Sequence, residues 1–83
     1  MLSEASRAVA DRAGTLYESR LREELERHYS GKYVSIEPVS GTYFLGETFD
    51  EAVNAAIDAF PDRLTYTLRI GHSAALHLGA LVP

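Results

Sequence analysis

The sequence predicts an α+β fold: a long N-terminal helix followed by a ββαβ module whose three-stranded, mainly antiparallel sheet has the order 2-1-3 along the chain. Three observations carry this expectation. The first 29 residues contain no proline and are rich in Ala, Leu, Glu and Arg, which favour helix. Residues 32–37 and 64–70 alternate apolar and polar side chains with a period of two, as half-buried strands do. Between them Thr48-Phe49-Asp50-Glu51 has the Thr-x-x-Glu form of a helix-capping box.

The expected organisation is 1–30 as helix, 31–71 as the ββαβ module and 72–83 as a C-terminal tail. In the first segment, Glu18 with Arg22 and Glu23 with Arg27 form i,i+4 pairs, each contributing about 0.2–0.5 kcal/mol. Gly14 is the weak point, costing about 1 kcal/mol relative to Ala. The apolar positions Ala5, Val9, Ala13, Tyr17, Leu21, Leu25 and Tyr29 recur every four residues. On a helix of 3.6 residues per turn such a stripe drifts by about 40° per step, so one straight face cannot hold them all. The expectation is that Tyr17, Leu21 and Leu25 pack on the sheet while Ala5, Val9 and Ala13 project and mediate oligomerisation. The competing reading is that residues 1–13 fray.

In the module, Val34 and Ile36 share one strand face, with Tyr33, Ser35 and Glu37 on the other. Pro38-Val39-Ser40-Gly41 is a turn, and Thr42 to Leu45 returns as the second strand. The Thr48 hydroxyl is expected to accept from the Glu51 amide and the Glu51 carboxylate from the Thr48 amide. Phe49, Ala52, Val53, Ala56, Ile57 and Phe60 then form a single apolar helix face. In the last strand Leu64, Tyr66, Leu68 and Ile70 point to the core, beneath this second helix, and Thr65, Thr67 and Arg69 point away. Residues 74–78 fit either a short fourth strand or a helical turn.

Composition narrows function. Eighty-three residues make one domain near the lower limit of a self-sufficient core, which favours association. There is no cysteine, so disulfides, thiolate metal sites and cysteine nucleophiles are excluded. No apolar run approaches the roughly 20 residues of a membrane helix, and the first residues lack the apolar core of an export signal; the expectation is a cytoplasmic protein with no membrane association. Residues 1–32 carry six basic and six acidic groups, whereas 33–83 carry six acidic and two basic ones, which accounts for the net charge of −4. Clustered cations are what phosphate binding needs. Direct nucleic-acid binding by the acidic module is therefore disfavoured, and a basic protein partner favoured.

Candidate chemistry reduces to structure. His28, His72 and His77 have no metal-ligand spacing, and no cofactor is expected. Ser73, His72 and Asp62 contain the letters of a hydrolase triad without its local signature, so no catalytic residues are assigned. The glycines at 41, 46 and 71 read as turn or strand-end residues. What remains is surface. Tyr33, Tyr43 or Phe44, Thr65 and Arg69 are expected on the sheet face opposite the second helix, covered by the first helix or by a partner. Glu47, Asp50, Asp58 and Asp62, with Tyr33 and Arg69, are the expected partner-binding residues, and the outer strands offer edges for strand addition.

The segments GKYVSIEP, GTYFLGETFDEAVNAA and YTLRIG, through Gly31, Tyr33, Val34, Ile36, Gly41, Tyr43, Gly46, Thr48, Glu51, Ala52, Arg69, Ile70 and Gly71, resemble a family of short prokaryotic domains of unknown function. More distantly they are similar to the strand-strand-helix-strand part of the HicB-type antitoxins. The resemblance implies a partner-dependent accessory factor or antitoxin-like inhibitor. This chain departs from the antitoxins in having no recognisable DNA-binding domain after the module. The expected function is a non-catalytic protein-interaction module; the alternatives are a self-assembling structural protein that uses the first helix and, less favoured, a small hydrolase.

Overall fold

The computed structural model describes residues 4–71 and the backbone of residues 76 and 77. Its order is α1 (Glu4–Leu16), a π-helical turn (Tyr17–Leu21), α2 (Arg22–Tyr29), β1 (Tyr33–Glu37), β2 (Thr42–Gly46), α3 (Phe49–Ala59), β3 (Tyr66–Arg69) and β4 (Leu76–His77). The expected α+β architecture is present, with β2, β1 and β3 antiparallel in that spatial order. The connection from β2 through α3 to β3 skips over β1, which makes β2 and β3 parallel to each other. β4 adds a short antiparallel strand outside β3, Leu68 opposite Leu76, so of the two expectations for residues 74–78 a strand is the form taken at 76 and 77. His72, Ser73 and, apart from Leu76 and His77, the rest of the 72–83 tail lie outside the described residues.

The N-terminal helix runs unbroken from Glu4 to Tyr29 and solves its phase problem with the π turn. Ala13 and Leu25 are twelve residues apart, which at about 100° per residue leaves about 120° of drift. The Arg22 N–H bonds to the Tyr17 carbonyl, five residues back, so the turn takes in one extra residue and absorbs about 100° of that drift. Ala13, Tyr17 and Leu25 thereby reach one core together with Val34, Ile36, Tyr66, Leu68 and Ile70. Val9, Ala10, Leu16, Leu21 and Leu45 pack around it. The helix ends where Gly31, at φ 93°, turns the chain into β1, a backbone angle that favours glycine.

Two expectations are corrected here. The first half of the helix does not project: Ala13 is fully buried, Ser6 nearly so, and Val9 lies against the core. The faces of the sheet are also exchanged. The apolar face, Val34, Ile36, Tyr66 and Leu68, is covered by the N-terminal helix, and α3 lies on the other face. There Ser35, Glu37, Thr65 and Thr67 are fully buried, Phe49 meets the Tyr33 ring edge-on and Phe60 meets Phe44. Small residues allow this seat. Ala52 and Ala56 are fully buried, the Thr67 hydroxyl donates to the Ser35 hydroxyl at 2.9 Å, and Gly46 passes directly beneath the first turn of α3.

The cap of α3 forms with one change of partner. The Thr48 hydroxyl accepts from the Glu51 N–H at 3.2 Å, but the Glu51 carboxylate accepts from the Glu47 N–H at 2.8 Å, one residue before the amide expected.

Glu37 sets the β1–β2 turn. Its side chain is only 1% exposed and accepts from the Val39 N–H at 3.0 Å and the Ser40 N–H at 2.8 Å, with Arg63 Nη1 at 3.4 Å. Burial pushes the carboxyl up, but the bonds from Ser40 and Val39 and the Arg63 charge outweigh it and hold it below the usual carboxylate range. A folded-state pKa below the unfolded one makes this group stabilising above its unfolded value, about 4.3, and the contribution is lost as pH falls through the folded value. Glu37→Gln is accordingly expected to cost about 1–2 kcal/mol at pH 7, with the gap to wild type narrowing in urea titrations taken down to pH 3. A gap that stayed constant with pH would show that the carboxylate charge is not what holds the turn.

Candidate interaction surface

The sheet has two edges, and they differ. The edge of β3 that faces away from β1 is occupied by β4. The outer edge of β2, Thr42-Tyr43-Phe44-Leu45-Gly46, has no neighbour among the described residues. Edge strands of soluble proteins are commonly guarded by charge, proline or a bulge; these five residues contain neither a charge nor a proline and pair in continuous register with β1. Tyr43 is 38% exposed and Thr42 is exposed beside it. Among the described residues nothing pairs with this edge.

On the α3 side, Gly46 lies against Glu51 and Ala52, so the first turn of α3 sits over the end of β2, while Asp58, about 120° and about 160° round the helix from the buried Ala52 and Ala56, is exposed. No basic group forms an ion pair with Asp50, Asp58 or Asp62 among the described residues. The module's three cations are engaged: Lys32 pairs with Glu47, Arg63 with Glu37, and Arg69 Nε donates to the Gly31 carbonyl at 3.2 Å. On the opposite side, the N-terminal helix and the 38–41 turn border an open recess of about 580 Å³ lined by Asp11, Arg12, Leu16, Arg20 and Val39, with Gly41 beside Leu16.

The expected site residues are therefore distributed rather than gathered. Asp50, Asp58 and Asp62 are exposed, and Glu47 is exposed but paired with Lys32. Tyr33 and Arg69 serve internal packing: the Arg69 guanidinium stands 5.8 Å from the centre of the Tyr33 ring, itself against Phe49. Of the oligomerisation residues Ala5 is exposed, Val9 partly buried and Ala13 enclosed. Arg12 and Arg20 were not among the expected residues. Their charges cancel in a count over residues 1–32, and only the helix phase after the π turn places both beside the hairpin turn.

A second groove, about 940 Å³, lies between the π turn and β3. Within it Arg22 bridges Glu18 at 2.8 Å and Glu26 at 3.1 Å, and the Tyr17 hydroxyl donates to Glu26 at 3.4 Å. Burial, and then the Glu26 charge, raise the Tyr17 pKa, so the hydroxyl remains a donor at neutral pH. Tyr66 is raised by burial alone. Among the described residues no group of three His, Asp or Glu side chains is placed to hold a metal ion, and no helix is long and apolar enough to cross a membrane.

Comparison with protein-family models, with curated proteins and with solved structures gave no match to this chain.

Proposed function

We propose that this chain is a cytoplasmic, non-catalytic protein-interaction module that receives a strand of a basic protein partner on the open edge of β2, as an antitoxin-like inhibitor or accessory subunit would. The observation that carries the reading is the unguarded Thr42–Gly46 edge. An added strand there gains main-chain hydrogen bonds along five residues, and alternate side chains supply specificity. The acidic exposed face of α3 favours a basic strand. Pairing with a second copy about a two-fold axis would set one acidic α3 layer beside another with no free cation of the module to offset them.

The test uses the tagged full-length protein as bait in nuclease-treated native cell extract at moderate salt, comparing wild type with Tyr43→Lys and Tyr43→Glu. Both substitutions guard the edge; only the lysine also opposes a basic strand. The expected result is a stoichiometric basic protein whose retention falls about tenfold with Tyr43→Lys, about 1.4 kcal/mol, and less with Tyr43→Glu. Equal retention by all three would remove β2 as the contact. Recovery of the protein alone, at a multiple of its monomer mass, would establish self-assembly instead.

A further inference from the structure

Strand addition at β2 leaves the groove between the π turn and β3 without a role: no residue of β2 lines it. Its volume of about 940 Å³ lies in the range of small-molecule sites, about 300–1,000 Å³, and three independent features of its lining point to a ligand. The first is charge. The ionised groups that line the groove are Asp11, Glu18, Glu26 and Arg22, an excess of two negative charges. Arg22 is already held by Glu18 at 2.8 Å and Glu26 at 3.1 Å, so an anion entering here would have to displace one of its carboxylates.

The second feature is Tyr66, which also lines the groove. It is only 3% exposed, yet its hydroxyl has no hydrogen-bond partner among the described residues. The one fully enclosed side-chain oxygen without a partner among those residues is Thr65 Oγ1; the Tyr66 oxygen is therefore not sealed in, and it opens on the groove. A tyrosine hydroxyl can both donate and accept, and one left unpaired in a largely buried side chain costs free energy that a ligand would recover.

The third feature is Gly14, on the helix wall of the groove. It is not among the glycines with positive φ, and a Cβ there would meet nothing within 4 Å. Neither backbone geometry nor packing calls for glycine at this position, where it weakens the helix. A larger side chain would occupy the groove.

We propose that this groove binds a small organic cation, an ammonium group on a short apolar or aromatic body. The carboxylates supply the complementary charge, the Tyr66 hydroxyl accepts from the ammonium, and the body of the ligand stands against the tyrosine rings and Leu68, which line the same space. Aromatic faces attract a cation as well as apolar surface. The inference is independent of strand addition at β2.

The probes are phenethylamine, phenethyl alcohol and phenylacetate, which carry a phenyl ring on a short chain and are cationic, neutral and anionic at neutral pH. Backbone amide shifts of the full chain are followed by NMR during titration. Phenethylamine is expected to shift the amides of Gly14, Glu18 and Gly71 and to bind at least about fivefold more tightly than the alcohol, with phenylacetate weakest. Tyr66→Phe removes only the hydroxyl and should weaken the amine at least about threefold. Gly14→Leu fills the groove and should abolish binding while the urea midpoint stays at or above that of the wild type, which separates loss of the site from loss of the fold. Equal binding of amine and alcohol overturns the cation assignment, as does tighter binding of phenylacetate, which would make Arg22 the anchor. Amine binding that both variants leave unchanged overturns the location, and no shift of the groove amides by any of the three probes overturns the site itself.

Discussion

Leu25→Asp is expected to unfold the chain at room temperature. Leu25 is 1% exposed, at the centre of the core formed with Ala13, Tyr17, Val34, Ile36 and Leu68. Removing such a side chain as far as alanine costs about 2–5 kcal/mol. A carboxylate adds the penalty of an unpaired buried charge, several kcal/mol more unless it protonates. A domain of this length has a total stability of about 4–12 kcal/mol, so the substitution consumes most or all of it. Leu21→Asp provides the contrast. Leu21 packs at the rim and is only partly buried, so its aspartate keeps access to water and is expected to cost about 1–2 kcal/mol, a lowered but cooperative melt. Thermal unfolding followed by circular dichroism separates the two. A wild-type melt for Leu25→Asp would show that the helix is not seated on the sheet.

The same helix shows where the sequence was legible and where it was not. Its existence, its end at Ser30-Gly31 and the four-residue spacing of its apolar positions could all be read directly. The spacing is itself incompatible with one straight face. What could not be read was the remedy. A drifting stripe can be accommodated by sending half the helix elsewhere or by inserting one residue, and no residue type marks a π turn. With the turn at Tyr17–Leu21, Ala13 is enclosed and Arg12 and Arg20 come to rest beside the hairpin. The cations beside the hairpin turn were thus hidden behind the same unreadable feature.

Strand alternation had a comparable limit. It identifies which side chains share a face, and the register confirms this: Val34 is opposite Leu45 and Leu68, Ser35 opposite Phe44 and Thr67. Alternation does not say which helix covers which face. The deciding signal is side-chain size. The bulky Tyr17 and Leu25 match the Val34, Ile36 and Leu68 face, while Ala52 and Ala56 match Ser35, Thr67 and Gly46. Tyr33 and Arg69, read as surface, become contacts under α3. The β2 edge survives this exchange because an edge is fixed by strand order, which the helix crossover already determined.

Size matching also gives the second large expected effect, a pair of identical substitutions with opposite outcomes. A Cβ on Gly46 would stand 2.5 Å from the Ala52 nitrogen and 2.8 Å from the Glu51 Cβ. These atoms belong to a capped helix turn, so relief requires α3 to lift from the sheet. Lifting it would disturb the Phe49–Tyr33 and Phe60–Phe44 contacts and expose the Ser35–Thr67 pair. Overpacking of this kind costs about 1–3 kcal/mol, and more where backbone must move, so Gly46→Ala is expected to destabilise by about 3 kcal/mol. At Gly14, in α1, an added Cβ meets nothing within 4 Å, and the gain in helix propensity, about 1 kcal/mol, is available in full. Urea titrations of the two variants should therefore move the midpoint in opposite directions. If Gly46→Ala left it unchanged, the close seat of α3 on β2 would be wrong. A fall for Gly14→Ala would instead indicate that the helix beside the π turn has no room for the methyl group.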